Sequence, residues 1–451
     1  MLINKESVFG LCEAWPCPRG LWLIGYFLLM SYALFGILLD DLGGISGTLM
    51  ALIGLLSILR YGRNIRSSFS LWLLLFVIFV QTVSWIAGYL SHPEWVASNP
   101  RLDRLGKLFI FIAIAWWLGG STNKTLFIWS LALLGYLIAS FAFEGPGEWL
   151  RGFQGERVGF GIRNGQHGSM LFGIFLIGWI VFSKRIFVRS DGALAIWKFL
   201  LWTMVLTICI SGVAIGQTRA VWLGCLTAFI GTLMLLFLLS RSFPLRKKLR
   251  VGFSLLIILI FFIIFFYLFF LDFVLIRVSK ETFIVSQLLN GDFSEIPYTS
   301  VGIRIHSWLA AFEWIKERPL VGWGSEGRGL VIDHTSWLPQ FVKDNFGHLH
   351  NYLIEVLVAY GSLGFLSVIA LYGWVGRAVW LAWRSGNMPN DIAIFAFAFF
   401  LYWVVVNQFE SYNSFGTGVF VHNIVLGGLV THYWKFRYEV VKGSPPDLHR
   451  L

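Results

Sequence analysis

Charge is scarce in this sequence: Asp, Glu, Lys and Arg make up 13% of its 451 residues, against 57% hydrophobic and 18% aromatic. Mean hydropathy is +0.72. These values exclude an ordinary soluble globular domain. Cysteine is sparse too. Cys12, Cys17, Cys209 and Cys225 are the whole complement, and they outline no disulfide framework. Cys12 and Cys17 form an isolated C-x4-C with no second pair and no nearby His, which is not a zinc motif. The chain has no Walker-type G-x-x-x-x-G-K-[ST], no G-x-S-x-G and no carboxylate cluster at metal-ligand spacing. Nucleotide-driven pumping and hydrolytic triads therefore lack sequence support. Asp40 and Asp41 read as turn and N-cap residues rather than as a metal pair. No tandem repeat or low-complexity tract stands out. The polar N-terminus has no small-residue cleavage site, so the first apolar span is expected to act as signal and anchor.

What the chain does have is apolar segments of about 20 residues, recurring from end to end, each long enough to cross roughly 30 Å of hydrocarbon. The expected fold is an all-α polytopic membrane protein. Twelve spans are read near 21–40, 43–60, 69–90, 105–120, 125–143, 168–183, 196–215, 220–240, 250–272, 351–376, 391–409 and 417–434. The net charge of +11 sits mostly in short connectors, which argues against nucleic acid as partner. Arg60/Arg63/Arg66, Lys184/Arg185/Arg189, Arg241/Arg246/Lys247/Lys248/Arg250 and Arg377/Arg384 follow spans 2, 6, 8 and 10. Lys435, Arg437, Lys442 and Arg450 close the chain. All fall on one side, which the positive-inside rule makes cytoplasmic, with both termini inside.

The expected organisation is an N-terminal bundle over 1–272, an outer loop over 273–349, C-terminal spans over 350–434 and a cytoplasmic tail over 435–451. A loop of that length reads as a functional element. Within it, "RIHSWLAAFEWIKERPLVGWG" sets Trp308, Leu309, Phe312, Trp314 and Ile315 at helical spacing before Pro319 and a Gly-rich stop. An amphipathic helix at the outer interface is expected there.

Basic residues on the outer face run against the inside bias and need a reason. Arg219 opens span 8 in "GQTRAVWLG", Arg277 follows span 9, Arg304 opens the amphipathic segment, and His350 opens span 10. One interfacial arginine alone would most simply snorkel to lipid phosphates. Several at one depth suit a phosphate or pyrophosphate, which a guanidinium grips bidentately. The loop "GERVGFGIRNGQHGSM" adds Arg157, Arg163, Asn164, Gln166 and His167, and its glycines suit a ligand's close approach or a plain turn equally well. In "GHLHNYLIEVLVAYGSLGF", helical spacing puts Gly361 about 20° and Gly364 about 40° from His350 around the axis. A helix or a lipid chain could approach closely along that stripe. Glu355, roughly 140° away, could be an arginine's structural partner or part of the site. His348 precedes the helix with its orientation open.

These residues resemble the O-antigen ligase family. His350, Asn351, Gly361 and Gly364 fit H-[NSQ]-x9-G-x-x-G. The 304–324 stretch looks like the loop segment of the wider ligase and polymerase superfamily. "QTRAVWLG" is similar to that superfamily's Ser-Arg helix start, with Thr218 in the Ser position. The resemblance implies a membrane glycosyltransferase fold. It also implies metal-independent, inverting transfer of a glycan from undecaprenyl diphosphate to lipid A-core, in the bacterial inner membrane, with no cofactor. His350 then becomes the candidate general base, suited by a titration near neutrality. It could instead orient the acceptor or contact phosphate. Arg219 and Arg304 would stabilise the leaving diphosphate where other enzymes use a metal ion. Arg277, Asn351, Arg163, Arg157 and His348 are candidate substrate contacts. An O-antigen polymerase or a protein O-oligosaccharyltransferase would share the donor. A lipid-linked oligosaccharide transporter would need polar residues facing one another at the bundle centre.

Overall fold

The computed structural model describes residues 15–162, 164–187, 192–239, 283–284 and 286–441. Its elements are helical, with no strand among the described residues. In chain order they are α1 (Arg19–Leu38), α2 (Asp40–Tyr61), α3 (Phe69–Ser91), α4 (Asp103–Gly106), α5 (Phe111–Leu118), α6 (Thr122–Ala142), α7 (Pro146–Phe153), α8 (Gly165–Val181) and α9 (Ser183–Phe187). There follow α10 (Ala193–Ile215), α11 (Arg219–Leu239), α12 (Ser300–Glu317), α13 (Gly327–His334), α14 (Gln340–Asn345), α15 (Tyr352–Arg384), α16 (Asn390–Val406) and α17 (Gly416–Val441). By length and composition α1, α2, α3, α6, α10, α11 and α15 can cross a membrane; α8 and α16 are apolar but shorter. The span expected near 250–272 lies outside the described residues, as do Cys12, Arg163, Arg189, Arg241, Arg246, Lys247, Lys248, Arg250, Arg277, Lys442 and Arg450.

One expected span is not a single helix. Over 103–118 the chain forms α4, a 3-10 turn at Lys107–Phe109, and α5. A break inside an apolar bundle frees backbone groups that water cannot reach. The fully buried polar side of α17 meets them. Asn423 Oδ1 accepts from Phe111 N at 2.7 Å and its Nδ2 donates to the Lys107 carbonyl at 2.8 Å. A His422 ring nitrogen pairs with the Leu108 carbonyl at 2.9 Å, and Thr431 donates to that of Ala115 at 2.8 Å.

A second, smaller hydrophobic core lies in the segment between α11 and α15. Ile303, Ala310, Ala311 and Trp314 of α12 pack with Trp323, Val331, Val342 and Leu349, and against Val358 of α15. This cap is joined to α15 by backbone. Gly361 interrupts α15 with φ +60°, so the amides of Ser362 and Leu363 turn to the Pro319 and Leu320 carbonyls at 2.8 and 3.2 Å. The Val358 and Ala359 carbonyls freed by the break accept from Trp323 N and Gly324 N at 2.9 and 2.8 Å. A Cβ at Gly361 would lie 2.3 Å from the Leu320 carbonyl carbon. What approaches the glycine is therefore cap backbone, not another helix or a lipid chain. The spacing argument failed here because it assumed an unbroken helix.

Candidate functional site

His350 is not part of a helix. It sits at φ +53°, a left-handed conformation that non-glycine residues seldom adopt and that clusters at functional sites. Asn351 is the N-cap, accepting from Leu353 N at 3.1 Å and Ile354 N at 3.2 Å. Its amide nitrogen donates to Gln408 at 3.2 Å rather than to the imidazole. Capping Asn, helix and strained residue together aim the ring.

The His350 ring stacks on that of His348 with centroids 3.9 Å apart. His348 Nε2 meets Glu410 Oε1 at 3.0 Å, and Glu410 Oε2 lies 4.0 Å from His350 Nε2. Glu410, in the connector between α16 and α17, is 1% exposed. Its Oε1 also accepts from Ser411 N at 3.0 Å. Burial would raise this carboxyl. The hydrogen bond from His348 and the charges of both histidines outweigh it and hold the group at about 2. His350 moves the other way. Burial, then His348 beside it, push its imidazole down to about 4, with Arg304 adding to the fall and Glu410 opposing it. His350 is thus proton-free at neutral pH and, contrary to the expectation from its residue type, does not titrate near neutrality. The bond from His348 and the Ser411 amide are what keep Glu410 anionic there.

Arg304 lies in the first turns of α12 and is half-buried. One turn on, Trp308 Nε1 donates to the Leu349 carbonyl at 2.8 Å, tying α12 to the residue before His350. Burial pulls Arg304 below arginine's usual value. Glu410 and Tyr412 oppose this, while Arg219 and Arg157 add to it as like charges. It remains a cation. The electrostatic neighbours of Arg304 are therefore Glu410, Arg219 and Arg157. Arg219 is the first residue of α11, two positions after the strained Gln217 at φ +47°. Arg157 reaches the same turn, its Nε donating to the Gly216 carbonyl at 3.4 Å. Gln217 and Thr218 bond the Gly155 and Gly165 carbonyls at 2.8 and 3.3 Å, so the glycine loop seats the Arg219 turn. Asn164 caps α8, and His167 is buried against Thr417.

His348, His350, Arg219, Arg304 and Arg157 thus converge from four separate parts of the chain. Asn351 supports them from the helix start. Arg163 and Arg277 lie outside the described residues. Glu355 resolves as an arginine's partner: Arg328 donates to it at 3.3 Å, Ser414 at 2.9 Å and Leu349 N at 3.1 Å. Sequence reasoning missed Glu410. The signal was there as the one carboxylate in the short connector "NQFESYNSFG". His348, His350 and Glu410 hold ligand atoms within 4.8 Å of one another, a two-histidine, one-carboxylate set that could take a cation. Two facts oppose a cation there. Glu410 is already bonded to His348, and Arg304 stands in the same electrostatic neighbourhood.

Residues 204–369 match the family model described as O-antigen ligase. That stretch holds Arg219, Arg304, His348, His350 and Asn351, while Glu410 and Arg157 fall outside it. An uncharacterized protein of Haemophilus influenzae is 37% identical over 75 residues, an alignment covering 16% of this chain and 19% of that relative. By its 204–369 segment, the chain is similar to the O-antigen ligase family.

Proposed function

We propose that this protein is an O-antigen ligase. It would join a glycan, carried on undecaprenyl diphosphate, to a hydroxyl of lipid A-core. The observation that carries the chemistry is the His350 imidazole, stacked on His348 and facing Glu410, in the electrostatic neighbourhood of half-buried Arg304. A sugar hydroxyl is a weak nucleophile until a base takes its proton, and a buried neutral imidazole is ready to do so. The hydroxyl oxygen attacks the anomeric carbon as its proton passes to His350. The bond from that carbon to the diphosphate breaks on the opposite face, so configuration inverts. The electron pair leaves on the diphosphate, where Arg304 and Arg219 offset the growing charge without reorganising. Glu410 stabilises the imidazolium until the proton leaves to solvent.

The wider setting belongs to the same reading. The chain crosses the bacterial inner membrane twelve times with both termini cytoplasmic, the 273–349 segment is periplasmic, and the prenyl tail stays in lipid. Buried polar residues do occur in the bundle, but His422, Asn423 and Thr431 bond the carbonyls of the broken 103–118 segment. That structural use takes away the motive for a transport reading.

The test is transfer by purified protein from undecaprenyl-diphosphate-linked glycan in EDTA, offered lipid A-core and further lipid-linked glycan as separate acceptors. Product on lipid A-core, lost with His350→Ala, is expected. Elongation of the lipid-linked glycan instead would make the protein a polymerase, and activity abolished by EDTA would return the His348/His350/Glu410 set to metal binding.

A further inference from the structure

A second polar site lies next to the first. Arg104 of α4, Arg328 of α13, Tyr352 and Tyr360 of α15, Ser325 and Ser414 border a cleft of about 40 Å³. Tyr352, Glu355 and Tyr360 of α15 all border it. Both tyrosines are 4% exposed. Among the described residues their hydroxyls have no hydrogen-bond partner, and neither does the buried Nε of Arg104. A buried polar group left unmet is destabilising, and three such groups belong to residues that border this one cleft.

The charges here cancel in pairs. Arg104 faces Glu326 at 3.9 Å and Arg328 faces Glu355 at 3.3 Å. The cleft therefore has no surplus field for an anion, unlike the arginines around His350. It offers guanidinium donors, carboxylate acceptors and two hydroxyls able to do both, which is the complement of neighbouring sugar hydroxyls. The volume admits roughly three water-sized groups, enough for one edge of a pyranose. The cleft also shares its walls with the first site. Glu355 accepts the amide of Leu349, the residue before His350. Phe415, following Ser414, sets its ring edge against His348 at 5.4 Å between centroids.

We propose that this cleft holds the edge of a non-reacting, uncharged sugar of the acceptor glycan, while another hydroxyl of that acceptor reaches His350. The inference rests on the transferase reading above. Binding energy from a remote sugar would then orient the reacting one.

The decisive comparison is acceptor KM, donor KM and kcat for wild type and the Tyr352→Phe/Tyr360→Phe double variant, which keeps both rings and their packing. A rise of tenfold or more in acceptor KM is expected, with donor KM and kcat little changed. Arg104→Gln should act the same way. Transfer by wild type with an unchanged acceptor KM in the double variant overturns the cleft and leaves the transferase reading intact. Absent transfer by wild type removes that reading instead. In parallel, saturation-transfer NMR would use deacylated core oligosaccharide and the full chain in nanodiscs. Signal that disappears in the double variant supports the cleft. Signal indifferent to the variant, or seen only before the oligosaccharide is dephosphorylated, refutes it in favour of solvent filling or an anion site.

Discussion

In the proposed reaction His350 is the base: burial leaves it unprotonated at neutral pH and, by the same lowering, makes it a weaker base than a free imidazole, and its neighbours tune how strongly. The free enzyme's imidazole is depressed to about 4, so kcat/KM should be flat from pH 8 to about 5.5. It should fall on the acid side as His350 gains a proton. Two substitutions should move that acid limb in opposite directions. Glu410 raises His350, so Glu410→Gln should shift the limb to lower pH. Arg304 lowers it, so Arg304→Ala should shift the limb upward. Rate-versus-pH profiles of the three proteins check both signs. At pH 7.5, Arg304→Ala should also cost about 10²–10³ in kcat, the scale for one preorganised charge-stabilising donor. His350→Ala should cost about 10²–10⁴, the usual worth of a general base. None of the pairings around Glu410 was legible in the sequence, because 60 residues separate it from His350 and only folding brings them together.

The exchange of backbone bonds between 319–324 and 358–363 ties the cap that carries Arg304 to α15, whose N-cap follows His350. The break at Gly361 opens α15, the cap backbone fills it, and Arg304 arrives on the helix that precedes this splice. Gly361→Ala combines positive φ with a 2.3 Å contact, so a loss of about 1–3 kcal/mol is expected. A lower unfolding midpoint in detergent, together with reduced transfer, would show it. The cap at Asn351 makes a gentler probe. Asn351→Ala should lose about 1 kcal/mol and slow kcat more than it raises KM, and Asn351→Asp should recover both. An unaltered kcat in the alanine variant would mean the cap does not aim His350. The glycines were visible in the sequence as positions where something comes close. What came close was not, since periodicity describes an intact helix and says nothing of where one is cut.

Over the whole molecule, the proposed topology puts the cap and the His350 site on the periplasmic side. In a variant lacking the native cysteines, a single cysteine replacing exposed Asp344 should react with an impermeant maleimide added outside inner-membrane spheroplasts. One replacing exposed Arg63 should react only after lysis. The reverse pattern would turn the protein over and remove the lipid A-core acceptor from reach.

Composition and span length alone determined that this chain is an all-helical, membrane-type protein, because crossing hydrocarbon demands long apolar helices whatever their packing. Local motifs singled out His350, Arg219 and Arg304 as candidates, since a histidine before a capped helix and arginines against the charge bias are visible residue by residue. Tertiary structure alone decided that Glu410 joins them, that Glu355 belongs to Arg328, that α4 and α5 replace one helix, and that two tyrosines border a second cleft. Those facts depend on which distant segments share one small buried volume. There a missing partner costs as much as a hydrogen bond, and periodicity along the chain carries no record of it.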